Sequence, residues 1–540
     1  MRYAFFVPRS APLVAALVAS FLSTARAAPP RRYGDPVEVA SRSPLAASIE
    51  SAARSIGAKQ GLEIDHRLEA AMDLVVANLP KSGPPPVELS ERALRLSGLV
   101  EPVPYLLAMV VPDGAEDDAR RQAEKILPDM LRNGRYRRLA AATAPAGPGA
   151  TRLVLCLLES FVQLAPIPRA LPARGSAALD GKALPPYRDP TLFITAPDGK
   201  VERAPLTVRG GDFHGTFRCG AQAGFYQIEI AAEDRFGDTV LANFPVACGV
   251  PAPSSLEVPA SPNAVAPAPS PSGSETLSGD VRAAAEARGL VLLQADRARA
   301  GLPPLVLDAR LSSVARGHSE DMRDHGFFGH LSPSTGSAMD RLQRAGIEAL
   351  RVRENLGRAY SPEELDRGLM GSPSHRANIL SADVERVGLG IAVAEGGSTH
   401  DLYLTQLFAH LPVAFDAAHG ASDLRARIDR LRADVHLGPF GRDPALDAVA
   451  LQVARGLADG TLSPDRPSKS DPVSQALPSL GERYKWLRKV SGLAQEVAQF
   501  GSTPALVDRE ATHAGVAAVK SAAGTKSGGI FLVVVLAAKR

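Results

Sequence analysis

Six of the eleven histidines fall between residues 318 and 410. The groups there able to bind a metal or move a proton are His318 in GHSEDM, His330 in FFGHLSP, Glu354 in RENLG and His375 in GSPSHRANIL. Neutral imidazole and carboxylate together suit zinc, which takes three or four nitrogen, oxygen or sulfur ligands. Three histidines and one glutamate would supply a three-ligand site with an open position, where bound water becomes acidic enough to attack a carbonyl at neutral pH. No two of the four share a helix at HExxH spacing, so spacing alone does not assign the metal.

Each residue also has an ordinary use. Leu311, Val314, Ala315, His318 and Met322 form one stripe at helical period, so His318 faces inward, as a core imidazole bonded to backbone or as a cleft group. Glu320, two residues on, points away toward solvent. His330 either orders its Ser-Pro turn or faces a ligand. Glu354 either caps the element that follows it or is a ligand and the candidate catalytic group. His375, followed by Arg376, either meets solvent at a helix start or completes the set. Tyr403, among Leu402, Leu404 and Leu407, is a candidate cleft lining. His325, His400 and His410 read as surface or loop groups. Ser332 and Ser374 lack the strand-turn-helix elbow of a serine nucleophile, which disfavours a Ser-His mechanism.

A chain of 540 residues needs several domains, at roughly 100 to 200 residues each. Residues 1–27 read as an export signal, with Arg2 and Arg9 at the start, the apolar run APLVAALVASFL and the small-x-small site Ala25-Arg26-Ala27. Its removal takes away three arginines and no acid, leaving 58 basic against 58 acidic residues. That balance gives no electrostatic case for nucleic acid or an anionic membrane. No other run reaches the ~20 apolar residues of a membrane helix, because IFLVVVLAA (530–538) is only strand-length. The mature chain is thus expected to be secreted, periplasmic or extracellular, with no transmembrane segment. Its three cysteines are too few for disulfides to be its main stabiliser. Cys219 and Cys248 lie in one strand-rich segment and could pair, whereas Cys156, inside LVLCLL, reads as a buried free thiol.

The sharpest boundary is the Pro/Ala/Ser-rich stretch 250–278, which has the composition of an extended tether. Before it, 180–249 alternates with period two in LFIT, GFYQIEI and TVLANFPV, which predicts a small antiparallel β-sandwich. GFYQIEI resembles the late strand of bacterial immunoglobulin-like modules, and a Cys219–Cys248 bridge would fit such a module. After the tether, 279–415 reads as helices and then two strands, RVGLGIAVAEG and HDLYLTQLFAHL, forming an α/β unit. LDARLSSVARGHSEDMRDHG has counterparts in RDPALDAVALQVARGLADG and, more loosely, in IDHRLEAAMDLVVANLPKSG. Anchored on Asp308, Asp443 and Asp65, the offset of His318 falls on Val453 and Val75. The organisation read from this is three versions of one α/β unit, at 40–168, 279–415 and 420–540.

Five ordered motifs in the middle unit carry a family resemblance: A-x-x-H-S-x-D-M, F-x-H-x-S-P, E-N-L, S-P-x-H-R-x-N-I-L and Y-x-T-Q-x-F. Residues ~283–412 resemble the CAP superfamily, also called SCP/TAPS, in its bacterial, cysteine-poor branch. The resemblance implies an α-β-α sandwich whose cleft often holds a His/Glu cluster able to bind a divalent metal such as zinc. His330 and Glu354 match the family's first histidine and its ENL glutamate. His318 and His375, typical of bacterial members, would complete the cleft in place of the eukaryotic acid and HYTQ histidine. Leu369 stands where the family usually has a tryptophan. The flanking units would be degenerate CAP-like copies.

The expected function is therefore that of an exported CAP protein of the cell envelope or extracellular space. It would bind a metal and a small-molecule, lipid-like or cell-wall ligand through the cleft. One alternative is a metal-dependent hydrolase of peptide or cell-wall bonds acting through His330, His375 and Glu354. Another is an adhesion or structural protein with a vestigial cleft.

Overall fold

The computed structural model describes residues 31–38, 42–80, 86–102, 104–133, 135–256, 280–396, 399–411, 415–463, 471–521 and 529–540. The expected export signal (1–27) and most of the expected tether (250–278) lie outside the described residues. The chain divides into two compact units: Met1–Asp234, Asp238–Ser274 and Ser372–Ser374, and then Arg235–Gly237, Glu275–Gly371 and His375–Arg540.

In the first unit, strand β1 (Arg32–Tyr33) pairs with β7 (Ile167–Pro168). A four-stranded sheet then runs β2 (Glu63–Ile64), β4 (Arg138–Gly147), β5 (Ala150–Leu158), β3 (Tyr105–Pro112), with only the first pair parallel. Helices α1 (Pro44–Ile56) and α4 (Glu116–Asn133) cover one face, α2 (His66–Ala77) and α3 (Val87–Leu96) the other. On β5, Leu153, Leu155 and Leu157 enter the first core while Val154, Cys156 and Leu158 enter the second. A strand buried on both faces reads as a continuous apolar run, which is why LVLCLL shows no alternation. Cys156 is a free, buried thiol, held well above the ordinary thiol range by burial.

Two further sheets in this unit share one core. One runs β11 (Val201–Ala204), β10 (Arg188–Thr195), β14 (Gly224–Asp234), β15 (Gly237–Cys248), β8 (Ala170–Leu171). The other runs β12 (Thr207–Arg209), β13 (Asp212–Arg218), β9 (Ser176–Ala183), β6 (Val162–Leu164). Leu179, Phe213 and Phe217 meet Leu192, Ile228, Ile230 and Phe244 between them. A disulfide joins Cys219, just after β13, to Cys248 at the end of β15. The strands sharing this core begin at Val162, so position 180 falls inside β9. The two- and three-residue strands ahead of β9 are too short to show alternation.

The second unit begins with α5 (Asp280–Arg299), β16 (Val306–Leu307), α6 (Ala309–His325) and α7 (Ala338–Arg344). It continues through β17 (Arg351–Ala359), α8 (Pro362–Gly371), α9 (Pro373–Ile379), β18 (Arg386–Gly396) and β19 (Thr399–His410). The sheet order is β16-β18-β19-β17, again with only the first pair parallel. Helices α6 and α7 pack on one face around Leu311, Leu342 and Leu407, and α5 and α8 on the other around Leu293, Leu365 and Phe408. Gly388 and Gly390 let α6 lie directly on β18: a Cβ on them would come within 2.3 Å of the Leu311 carbonyl carbon and 1.9 Å of the Arg316 nitrogen.

The rest of this unit carries α10 (Gly420–Ala433), α11 (Pro444–Ala458), α12 (Pro472–Leu480) and strands β20 (Tyr484–Ala494), β21 (His513–Lys520) and β22 (Ile530–Lys539). They form the sheet β20-β22-β21, and Gly441 adds a parallel bridge to His513. In all three α/β parts a short parallel segment is followed by an aspartate, Asp65, Asp308 or Asp443. Its side chain accepts the first N–H groups of the next helix.

Candidate functional site

His318 hangs from the inward stripe of α6 and is 1% exposed. Its Nε2 lies 3.0 Å from the Gly329 carbonyl oxygen, so Nε2–H donates there. Its Nδ1 is buried with no hydrogen-bond partner among the described residues. Burial, with the Arg341 and His330 charges, pushes the ring's pKa down to about 4 against the opposing pull of Glu354 and the Gly329 carbonyl. His318 is therefore neutral in the folded chain.

His330 sits in a turn held from α6. The Asp321 carboxylate accepts the hydroxyls of Ser332 at 2.5 Å and Ser334 at 3.1 Å, and the exposed His325 ring meets it at 2.8 Å. Ser332 Oγ in turn accepts the N–H groups of Ser334 and Thr335. Burial raises the Asp321 pKa, but the serine hydroxyls and His325 outweigh it and hold the carboxyl below its usual value. The turn is thus ordered by Asp321, which leaves the His330 ring for the cleft.

Glu354 lies in the middle of β17, so the capping alternative is overturned. Its side chain is 5% exposed, and both oxygens are engaged: Oε1 meets His330 Nδ1 at 2.9 Å and Oε2 takes Nη2 of Arg341. Arg341 comes from α7, where the Ser337–Asp340 capping box fixes the first turn. Its Nη1 donates to the carbonyls of His330 at 3.2 Å and Gly336 at 2.7 Å. Burial alone would raise the Glu354 pKa, but the His330 hydrogen bond and the His330 and Arg341 charges bring it below the ordinary value. Glu354 is therefore a buried carboxylate with a guanidinium counterion.

His375 occupies the first turn of α9, part-buried rather than out in solvent. Asn355 Nδ2 donates to the His375 carbonyl at 3.1 Å and to Gln406 Oε1 at 3.1 Å. Asn378 Nδ2 reaches Asn355 Oδ1 at 2.9 Å and the Glu354 carbonyl at 3.2 Å. This amide cluster ties α9 to β17 and β19. Burial first, then the His330 charge, pushes the His375 pKa down to about 3. Tyr403 shares a face of β19 with Leu407, the register partner of Glu354. Its ring lies 6.5 Å from that of Phe328, with the Arg358 guanidinium 4.8 Å away.

The fold thus gathers His318, His330, Glu354 and His375 and places Tyr403 on their face of the sheet. Arg341, Asp321 and the Asn355–Asn378–Gln406 cluster were not singled out from sequence, and neither was the buried pair Ser319–Thr405 (2.8 Å between hydroxyls). One sequence signal could have found some of them: they are polar where the neighbouring pattern is apolar.

The zinc implied by the resemblance does not fit this donor set. Zinc needs three or four free lone pairs converging on one point. Both Glu354 oxygens are engaged, one of them by a cation, and His330 Nδ1 meets the same carboxylate, so His330 Nε2 and the unpartnered His318 Nδ1 remain, short of a converging set of three. Among the described residues no three His, Cys, Asp or Glu side chains converge to hold a metal ion.

A short parallel strand, three long strands in the order seen here, helices on both faces and the His330–Glu354 cleft define a CAP-type domain. Residues 284–408 belong to the CAP superfamily, matching the model of the family described as "CAP: Cysteine-rich secretory protein family". Over 114 residues the chain is 38% identical to the uncharacterized protein YkwD of Bacillus subtilis (strain 168), covering 21% of this chain and 44% of that protein. Over 113 residues it is 32% identical to the uncharacterized membrane protein YlbC of the same organism, covering 21% of this chain and 32% of that protein. The chain therefore spans less than half the length of either relative. Among solved structures it is similar to an extracellular protein containing a SCP domain from Bacillus anthracis str. Ames, at 20% identity and a TM-score of 0.22. That likeness covers 44% of this chain and 77% of the other. A cysteine-rich secretory protein from Staphylococcus aureus subsp. aureus Mu50 is similar at 11% identity and a TM-score of 0.20, covering 50% and 85% respectively. Among the described residues no helix is long and apolar enough to cross a membrane.

Proposed function

We propose that this is an exported protein that captures a ligand with an apolar face at the mouth of the His330 cleft, without turning it over. The observation that carries this reading is the pairing of exposed apolar side chains with a polar interior whose charges are already paired. Phe328 (46% exposed) and Leu331 (41% exposed) flank His330. Behind them His318 is neutral, Glu354 is neutralised by Arg341, and Ser332 donates to Asp321 rather than to an imidazole. An exposed apolar pair beside a polar site is a common recognition surface. The reading of residues 1–27 as an export signal and the Cys219–Cys248 disulfide support a location outside the cytoplasm.

The parts around 40–168 and 420–540 act, on this proposal, as degenerate CAP-like copies, scaffolding or partner surfaces without a cleft. Their strand orders and capping aspartates support it, as do the buried Val75 and Val453 at the position of His318. The two-sheet part at 162–248 is proposed as the immunoglobulin-like module.

Purified full-length protein should co-sediment with cell-wall sacculi or with phospholipid vesicles, and the two sediments distinguish a glycan from a lipid ligand. The Phe328→Ser, Leu331→Ser double variant should stay in the supernatant. Release of soluble wall fragments or cleavage of casein by the wild type, abolished by Glu354→Gln, would instead establish the hydrolase reading.

A further inference from the structure

We infer that the cation of this cleft is built into the chain: the Arg341 guanidinium holds, on Glu354, the place a divalent metal would need, and the cleft assembles without metal. The Arg341 side chain is 4% exposed and that of Glu354 is 5% exposed. A buried guanidinium is stabilised by a counter-charge and by acceptors for its remaining N–H groups. Glu354 supplies the first through Nη2, and the His330 and Gly336 carbonyls accept from Nη1, while Nε is buried without a partner among the described residues. The same three contacts join the loop of His330, the start of α7 and the middle of β17. That is the cross-linking role a metal would otherwise have.

A divalent ion on Glu354 would have to sit against a fixed positive charge or displace it, and displacement would leave a buried arginine unpaired. Neither outcome is favourable.

The register of the other two sheets gives the positions that match Glu354. Glu354 pairs with Leu407, which pairs with Gly388, two residues after the parallel partner Arg386. The same steps from His513 lead through Gly515 and Val535 to Lys489. Lys489 Nζ meets Asp471 Oδ2 at 2.8 Å. From Arg138 they lead through Ala140 and Cys156 to Leu106, an uncharged position. The matching position thus carries a buried ion pair in the cleft sheet, a part-exposed pair of opposite sense in the second and no charge in the third, so the buried pair belongs to the cleft and not to the shared fold.

The test uses the full-length chain, stripped with chelator and titrated with zinc alone. The expected result is no saturable uptake at micromolar zinc and a melting temperature unmoved by zinc or chelator. Saturable uptake of one equivalent, lost in His330→Ala, overturns the inference. The cation requirement is read separately in zinc-free buffer: Arg341→Lys, which keeps the charge but not both sets of contacts, should melt between wild type and Arg341→Gln, with Arg341→Gln lowest. Equal melting of all three chains also overturns it.

Discussion

His318 has an internal comparison, because Val75 and Val453 stand at the matching helix positions, both fully buried. The folded chain holds the His318 pKa at about 4, whereas in the unfolded chain it returns to the ordinary 6.5. The unfolded state therefore takes up a proton first. The stability tied to this residue is whole above pH 6.5 and is lost as pH falls from there toward 4, by roughly 3 kcal/mol in total. His318→Val should fold and should lose about 2.5 kcal/mol less than wild type between pH 7 and pH 4.5 in urea unfolding. His375 remains in both chains and contributes equally to each. Identical pH dependence in the two would contradict the assignment. Removing a charge at Glu354 acts differently: Glu354→Gln leaves the Arg341 guanidinium buried and unpaired, and should cost about 3 to 5 kcal/mol at pH 7. The histidines and Glu354 were legible in the sequence because their types are rare and their motifs ordered. Arg341 was not, since an arginine near the start of a short helix looks like any solvated one and its partner lies 13 residues away on a strand.

The element that sets the depth of the site is α6, and its seat is the glycine pair on β18. A Cβ at residue 390 would meet the Arg316 nitrogen at 1.9 Å, with helix backbone rather than a flexible side chain as the obstacle. Gly390→Ala should therefore lift α6 and destabilise the chain by about 1 to 3 kcal/mol, a shift readable in the denaturant midpoint. Gly368→Ala on the exposed side of α8 meets nothing within 4 Å and should stabilise by roughly 0.5 to 1 kcal/mol. The α6 stripe and the β18–β19 hairpin were readable because helical and strand periods are local signals. The contacts that bind them were not: Ser319 finds Thr405 across 86 residues, and Asn355 finds Gln406 across 51. Glu354 stayed ambiguous between cap and ligand for the same reason, as only the strand partner Leu407 places it mid-strand.

At the scale of the whole molecule, the three α/β sheets share a strand order that no single motif announces. Sequence alignment catches the aspartate and the apolar stripe, and register is needed to match Glu354 with Lys489 and Leu106. The molecule also separates its covalent staple from its one fluorescent reporter: the disulfide lies in the first compact unit and Trp486, the only tryptophan, in the second. Closing a loop with a sequence separation of 29 restricts the unfolded chain by about 3 to 4 kcal/mol. Reduction should therefore weaken the two-sheet core around Phe217 and Phe244, while the transition reported by Trp486 stays where it was. Far-ultraviolet circular dichroism follows both units and tryptophan fluorescence only the second. In the presence of reductant the circular dichroism curve should split, with its earlier component absent from fluorescence. A fluorescence midpoint that moves by the same amount would show that the two units unfold as one.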